Sequence, residues 1–326
     1  MDKEDYIKFS EADMGSTLTR PVLVSSINEN VARNGKPFVK LTLKDGFSEQ
    51  VATMFDTTAE DLEQSGISKN TVADVELSVG EYQGSKSFKV NSIRPNDNPL
   101  LSINDFTKVP PFDMDFMYDK ICELIKDAAD KNLRKYTPLS ELALHILSDY
   151  KKRYMTSSAS VTMHHNLRGG LLYHSYRMVR TANAICSIYS LDRELMLCGA
   201  ALHDIGKIWE YDTSATGDAE FTASGVLFGH LYLGASLIKK YTEGKNYNRE
   251  KVQLLIHMIL SHHGTQEWGA VACPSIPEAF ALHYIDNLDA KMYVCEEFYE
   301  QLDPGAISEK RPFGLDNRIY RPRYDV

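Results

Sequence analysis

The stretch ELMLCGAALHDIGK, residues 194–207, is an apolar run that ends in a histidine, an aspartate and a glycine. Its apolar side chains recur at the helical period, which predicts a helix. Gly206 then favours a helix end, because glycine readily breaks a helix. The side chains of His203 and Asp204 are therefore expected at one helix terminus, where both can face a single cavity.

Imidazole nitrogen and carboxylate oxygen together suit divalent cations such as manganese, iron, cobalt and zinc. A carboxylate can bridge two such cations whereas an imidazole cannot, so Asp204 is the predicted bridging ligand. The pair His203-Asp204 alone is a weak signal, but all of the histidines except His145 lie between residues 164 and 283. Further histidines and an aspartate on or beside predicted helices strengthen the signal of this pair: His174, His230, His262, His263 and Asp286.

From Asp115 onward the apolar pattern has the period of a helix, and strand patterns essentially vanish. Helix starts are expected near Asp192, Asn248 and Pro277. The pattern predicts an all-α helical bundle of seven helical segments: 117–131, 138–155, 170–189, 194–207, 230–241, 249–263 and 277–302.

The N-terminal part has the pattern of short strands instead, with apolar Val39, Leu41 and Leu43 alternating with polar neighbours. Five strands with a helix between the third and the fourth are the element order of an OB-fold, an all-β barrel that often binds oligonucleotides. The predicted strands are 19–27, 37–45, 48–55, 71–79 and 86–93, with the helix at 58–66.

One face of the predicted barrel carries aromatic and cationic side chains, which suit stacked bases and backbone phosphates. A core position in the barrel is the alternative for Phe38 and Phe55. The predicted nucleic-acid contacts are Arg33, Lys36, Phe38, Lys40 and Phe55.

The sequence thus predicts a two-domain protein: residues 1–94 form an OB-fold domain, residues 95–113 a proline-rich linker, and residues 114–303 the helical domain. Residues 304–326 form a tail in which arginines alternate with aromatic residues. This tail either contacts a nucleic-acid strand or is a solvated segment.

The chain has a formal net charge of −9, which argues against a protein that coats nucleic acid nonspecifically. Residues 1–100 hold 11 Lys and Arg against 16 Asp and Glu, so strand binding by the barrel would depend on stacking more than on charge. We find neither an apolar run long enough to span a bilayer nor an apolar signal core. The expected location is the cytoplasm, with no membrane partner.

The histidine and aspartate pattern resembles the HD-domain superfamily of metal-dependent phosphohydrolases, whose motif is H…HD…D with further histidines in the two-metal members. The resemblance implies hydrolysis of a phosphate ester by two divalent cations. It assigns the first cation to His174, His203, Asp204 and Asp286, and the second to Asp204, His230, His262 and His263.

Four further residues near the predicted ligands are candidates for supporting roles. Lys207 can place an ammonium on the substrate phosphate, although a surface lysine is the alternative. His165 or Arg168 can bind that phosphate or assist the leaving group, or they serve only the loop. Asp289, one helical turn after Asp286, is a candidate for orienting a histidine ligand.

The order of barrel, proline-rich connector, HD domain and basic tail resembles the YhaM family of 3′-to-5′ exoribonucleases over nearly the whole chain. The segments HHGTQEWG (262–269) and EAFALHYIDNLDAKM (278–292) belong to this resemblance. It implies a barrel that holds single-stranded RNA or DNA, and an HD site that removes nucleotides from the 3′ end. Manganese is the implied cation, with cobalt, iron or zinc as alternatives.

Two other functions remain open from the sequence. One is a phosphodiesterase or nucleotidase for a small nucleotide or cyclic dinucleotide, with the barrel as an accessory. The other is a binding module whose HD domain has lost its activity. A homo-oligomer is also considered.

Overall fold

The computed structural model describes residues 9, 11–46, 48–82, 85–107, 109–129, 135–160, 167–214 and 216–324. The chain divides into two units, residues 1–109 and 110–326. This division falls inside the predicted linker, residues 95–113, and the bounds of the four predicted segments stay predictions.

The N-terminal unit contains a closed barrel with the strand order β1-β2-β3-β5-β4. Strands β3 and β5 pair in parallel, and the other neighbouring strands pair antiparallel. With a helix between β3 and β4, this is the topology of an OB-fold, as predicted. The elements are β1 (Thr17–Val31), β2 (Pro37–Lys44), β3 (Glu49–Phe55), α1 (Ala59–Gln64), β4 (Val72–Tyr82) and β5 (Ser85–Pro95).

Alternation of apolar and polar residues fixes which side of each strand faces the barrel interior. In β2, Val39, Leu41 and Leu43 are fully buried, while Lys40 between them is exposed. The pairing of β1 with β2 shifts register between Val24 and Ser26. Such an irregularity bends a strand, and β1 pairs with both β2 and β4, so the sheet closes.

The second unit is a helical bundle around one apolar core that includes most of α5 and α6. Asp192 and Asn248 cap the N-termini of α6 and α9 through side-chain hydrogen bonds, and Pro277 is the first residue of α10, as predicted. The helices are α2 (Met114–Asp127), α3 (Leu139–Asp149), α4 (Lys151–Thr156), α5 (Gly170–Ile185), α6 (Arg193–Leu202), α7 (Lys207–Glu210), α8 (Ala223–Thr242), α9 (Arg249–Ser261) and α10 (Pro277–Gln301).

Two details of the helical unit differ from the prediction. The segment 138–155 is two helices, because Tyr150 leaves the helical conformation with φ −111° and ψ 15°. The unit is helical as predicted, apart from one small hairpin formed by β6 (Tyr211–Thr213) and β7 (Ala219–Phe221). Strands of three residues are too short to produce a detectable alternation.

The C-terminal tail packs against the end of α10. The Arg321 guanidinium donates hydrogen bonds to the carbonyl oxygens of Tyr299 and Leu302, at 2.7 and 2.6 Å. Ile307 and Tyr320 form a β-bridge across the tail. Arg321 therefore holds the tail in place, and nucleic-acid binding by the tail stays a prediction.

Among the helices of the described residues, none combines the length and apolar character that crossing a lipid bilayer requires.

Candidate metal centre

The structure brings together the side chains of all seven predicted metal ligands. Each comes from the end or the interior of one of five helices, so the helical packing fixes the cluster. His174 lies in α5, His203 and Asp204 directly follow α6, His230 lies in α8, His262 and His263 directly follow α9, and Asp286 lies in α10.

Ligand atoms of these residues form three overlapping groups, and within each group the atoms lie within 4.8 Å of one another. One group comes from α5, α10 and the end of α6, and another comes from α8 and the end of α9. The third shares His203 with the first group and His262 with the second, and adds Asp204. The groups are His174, His203 and Asp286; His230, His262 and His263; and His203, Asp204 and His262.

The two carboxylate oxygens of Asp204 face different histidines. Oδ2 lies 3.7 Å from Nε2 of His174 and 3.4 Å from Nε2 of His203. Oδ1 lies 3.6 Å from Nε2 of both His230 and His262. A carboxylate placed between two sets of imidazoles in this way can serve as a ligand shared by two cations.

Hydrogen bonds at the outer ring nitrogens orient four of the histidines. An N–H at Nδ1 can donate to an acceptor outside the cluster, which leaves the Nε2 lone pair directed at the cluster centre. The acceptors of Nδ1 are Asp289 for His174 (2.7 Å), the Ala200 carbonyl for His203 (3.0 Å), Glu210 for His230 (3.0 Å) and the Ile259 carbonyl for His262 (2.8 Å).

The donor atoms fit a bound divalent cation. Asp204 is only 3% exposed, and its Oδ1 has no hydrogen-bond partner among the described residues. Nε2 of His174 and Nε2 of His203 lie 3.0 Å apart. Buried polar atoms normally have partners, and a cation would satisfy these lone pairs. Mixed imidazole and carboxylate ligands suit borderline divalent metals.

The electrostatics of the cluster favour the protonation states that bind metal. Burial raises the pKa of Asp204, but the neighbouring Lys207, His203 and His230 outweigh it and hold that pKa well below its usual range. Burial and the neighbouring His203 lower the pKa of His262 well below its usual value. An ionised carboxylate and a neutral imidazole are the forms that coordinate metals.

The pKa of His174 is shifted in the opposite direction from that of His262, because two carboxylates face His174. Burial lowers the pKa of His174, but hydrogen bonds to Asp286 and Asp289 outweigh burial and raise it to about 10. A cation would replace the extra proton on this imidazole.

Lys207 is part of the cluster, which excludes the alternative of a surface lysine. Its side chain is only 12% exposed, and its Nζ lies 2.6 Å from Oδ2 of Asp204. Arg168 is partly buried just before α5, and its predicted contact with the substrate phosphate stays a prediction. His165 lies outside the described residues, so its predicted role stays a prediction.

Two carboxylates behind the ligands support the histidines. Asp289 accepts a hydrogen bond from His174 and pairs with Arg177, so it is placed to orient this histidine as predicted. Glu210 was not predicted, yet it accepts hydrogen bonds from both the backbone N–H and Nδ1 of His230, each at 3.0 Å. Glu210 follows the His203-Asp204 pair by two turns, and no sequence signal marks it as a partner of α8.

Gly206 has a different role from the one predicted. Its backbone is helical, with φ −62° and ψ −22°, so it does not use a conformation that only glycine adopts. A Cβ at this position would lie 2.0 Å from the carbonyl oxygen of His230. Gly206 therefore allows α8 to approach closely enough for His230 to reach the cluster.

We expect Glu210→Gln to lower metal-dependent activity about 10–100-fold, because loss of a carboxylate behind a histidine ligand has effects of this size. The amide of glutamine has no negative charge, so it no longer favours the tautomer of His230 in which Nδ1 carries the proton and donates. The measurement is activity as a function of cation concentration. Glu220→Gln in β7, an exposed position, is the matched control, and an equal response of both variants would contradict the role of Glu210.

On the barrel, Phe38 and Phe55 lie outside the buried core, so their alternative assignment as core residues is wrong. Their rings face each other across β2 and β3 with centroids 6.0 Å apart, and Phe55 is 52% exposed. Nζ of Lys89, a residue not predicted, lies 5.9 Å from the centre of the Phe55 ring. Arg33 and Lys40 are exposed, and Lys36 pairs with Asp56.

A family model described as HD domain matches residues 171–291. A helical bundle with this histidine and aspartate cluster, preceded by an OB-fold barrel, defines the protein as an HD-domain protein that depends on divalent metal.

Comparison with characterised proteins identifies the family. The chain is 34% identical over 315 residues to the 3′-5′ exoribonuclease YhaM of Bacillus velezensis, covering 96% of this chain and 97% of that protein. It is 33% identical over 315 residues to 3′-5′ exoribonuclease YhaM of Bacillus subtilis, with the same coverage. The chain belongs to the YhaM family.

The barrel is also similar to the second OB-fold domain of replication protein A from Methanococcus maripaludis. That likeness has 20% identity and a TM-score of 0.23, and covers 29% of this chain and 97% of the other. The OB-fold assignment rests on the strand order and not on this likeness.

Proposed function

We propose that the protein is a metal-dependent 3′-5′ exonuclease that hydrolyses phosphodiester bonds of single-stranded RNA at the HD cluster. The observation that carries this proposal is the position of Asp204, whose two oxygens face separate sets of histidines. The names of the relatives as 3′-5′ exoribonucleases, over 96% of this chain, support RNA as the substrate. Single-stranded DNA is a further substrate to test.

Two divalent cations are proposed for the cluster, with manganese as the first choice and cobalt, iron or zinc as alternatives. One would be held by the group around His174 and the other by the group around His230, with Asp204 shared. When bound, such cations supply an activated water and offset negative charge on the phosphoryl oxygens.

The residues of the chain itself orient the ligands and balance charge. Glu210 and Asp289 fix the rings of His230 and His174. The ammonium of Lys207, held at the cluster by Asp204, can offset charge that develops on a phosphate oxygen during hydrolysis. Arg168 and His165 stay proposed contacts of the substrate phosphate.

The outer face of the barrel is the proposed site for holding the strand. The rings of Phe38 and Phe55 offer a stacking surface that accepts any base, and Lys40 and Lys89 beside them can contact phosphates. Arg33 and Lys36 extend this face. Strand binding by stacking depends less on positive charge than binding through phosphates does. This agrees with the excess of Asp and Glu over Lys and Arg in residues 1–100.

We expect the double variant Phe38→Ala and Phe55→Ala to raise the Kd for single-stranded RNA about tenfold or more, since base stacking on an aromatic ring contributes about 1–3 kcal/mol per base. Both rings lie outside the barrel core, so the barrel should stay folded. Fluorescence anisotropy with labelled RNA measures the change. Leu100→Ala, at a position that is 86% exposed, is the control, and an equal Kd for both proteins would remove the stacking role.

Digestion of 5′-labelled single-stranded RNA, and of the matching DNA, by the purified protein with manganese tests the activity. A ladder that shortens from the 3′ end is expected. Intact strands, under conditions where cyclic dinucleotides or other small phosphodiesters are cleaved, would instead identify the small-nucleotide phosphodiesterase. The homo-oligomer considered from the sequence stays a prediction.

A further inference from the structure

The loop that follows the ligand pair His262-His263 holds an exposed tryptophan. Trp268 ends a short 3-10 helix, Gln266–Trp268, and 58% of its surface is exposed. The other tryptophan, Trp209, is partly buried and packs against Tyr150 with ring centroids 4.9 Å apart. Singly exposed aromatic residues are common on protein surfaces, so the contacts of Trp268 decide whether its position suits a binding role.

Backbone hydrogen bonds hold the loop that carries Trp268. The Thr265 carbonyl accepts from the N–H groups of both Trp268 and Ala270, each at 3.1 Å. The Thr265 N–H in turn donates to the carbonyl of the ligand His263 at 3.0 Å. The backbone of the loop is therefore hydrogen-bonded directly to the predicted ligand His263.

A second connection joins Trp268 to the other ligand of the pair. The ring of Trp268 packs against the ring of His283, with centroids 5.9 Å apart and planes 40° apart. Nδ1 of His283 lies 2.9 Å from the carbonyl oxygen of His262, to which it can donate. A Cβ on residue 264 would lie 2.2 Å from the His283 ring. The close approach of this ring to the backbone of the ligand pair therefore requires Gly264.

Tyr284, the residue after His283 in α10, is a further exposed ring close to His283. The His283 ring lies 5.1 Å from that of Tyr284, and Tyr284 is 67% exposed. Trp268 and His283 thus present a pair of packed rings that is connected to the backbone of the predicted metal ligands His262 and His263. Every nucleobase has a π-face, so such a surface holds bases without sequence preference.

We propose that Trp268 is a positioning residue that stacks on a nucleobase at the 3′ end of the strand and so places the terminal phosphodiester at the HD cluster. This inference rests on the proposed exonuclease function and names the part of the substrate that the HD domain itself recognises. The ligand is a nucleobase of single-stranded RNA, held separately from the stretch of strand on the barrel.

The first experiment is a double-mutant cycle between protein and substrate. The kcat/KM is measured for wild type and for Trp268→Ala, each with RNA that ends in ordinary nucleotides and with RNA whose last two nucleotides lack bases. Wild type is expected to prefer the ordinary RNA about fivefold to 150-fold, from the usual contribution of base stacking. Trp268→Ala should reduce that preference to about twofold or less.

Two further variants show whether the effect is specific. Trp268→Phe should retain most of the preference, because phenylalanine still stacks. Phe116→Ala, which removes another aromatic ring that is 54% exposed, should retain all of it. If Trp268→Ala slows both RNAs equally, so that the preference stays, the residue is merely structural and the proposal is overturned.

The second experiment detects stacking without turnover. Trp209→Phe leaves Trp268 as the sole tryptophan, and Asp204→Asn prevents cleavage. Addition of ordinary RNA should quench the indole emission, and the RNA without terminal bases should not. Equal or absent quenching overturns the stacking role even if the wild type degrades RNA. Base-dependent quenching in a protein whose wild type leaves RNA intact would uphold the stacking role and reject only the exonuclease activity.

Discussion

The Asp204→Asn variant is expected to degrade single-stranded RNA more than about 100-fold more slowly than the wild type, and to bind less metal. Loss of a group behind a metal ligand already lowers affinity or activity about 10–100-fold, and Asp204 is the carboxylate that faces both sets of histidines. The amide keeps the shape but removes the negative charge. It also leaves the ammonium of Lys207, 2.6 Å away, without its carboxylate.

The measurement combines digestion of labelled RNA with the metal content of the dialysed protein. Asp212→Asn is the matched control, because Asp212 is exposed on β6 and belongs to none of the ligand groups. Circular dichroism checks that the Asp204→Asn variant is folded. Activity within a fewfold of wild type, with unchanged metal content, would contradict the assignment of Asp204 as a shared ligand.

The metal cluster could be predicted from the sequence because its members are rare residue types at marked positions. Histidines in pairs, or beside an aspartate, stand out at the ends of apolar helices such as α6 and α9, and helix packing brings such ends together. The barrel could be predicted for a similar reason, since the alternation in β2 directly reflects which residues are buried.

The supporting contacts could not be predicted, because they join elements that are distant in sequence. Glu210 reaches His230, and His283 packs against Trp268, only once α7, α8 and α10 are in place. The role of Gly206 could not be predicted for the same reason. Its sequence position suggests a helix break, whereas its role is the close approach of His230, which is a tertiary property.

The barrel contains a buried ion pair whose partners are also distant in sequence. Asp45, in the turn after β2, is fully buried and pairs with Arg20 of β1 at 3.2 Å. Its carboxylate also accepts hydrogen bonds from the backbone N–H groups of Phe9 and Ser48. The dipeptide Asp45-Gly46 is typical of a turn, but nothing in the sequence identifies Arg20 as the partner.

We expect Asp45→Asn to lower the free energy of unfolding of the barrel by about 3–5 kcal/mol, the usual effect of removing one partner from a buried ion pair. The Arg20 guanidinium, which is 1% exposed, would keep its charge in the interior and lose the counter-charge of Asp45. Hydrogen exchange followed by mass spectrometry of peptides measures this in each unit separately. Exchange should become faster in peptides from β1 to β5 and stay unchanged in α5, α6 and α9.

Asp56→Asn is the matched control, because Asp56 pairs with Lys36 at 2.8 Å while both side chains are more than half exposed. Exposed pairs contribute about 0–1 kcal/mol. Asp56 has a positive φ of 56°, a conformation that asparagine tolerates well, so the control adds no backbone strain. If the two variants have the same exchange rates in the barrel, the Arg20–Asp45 pair does not stabilise the fold; if only Asp45→Asn opens the barrel, the pair holds the turn after β2 against β1.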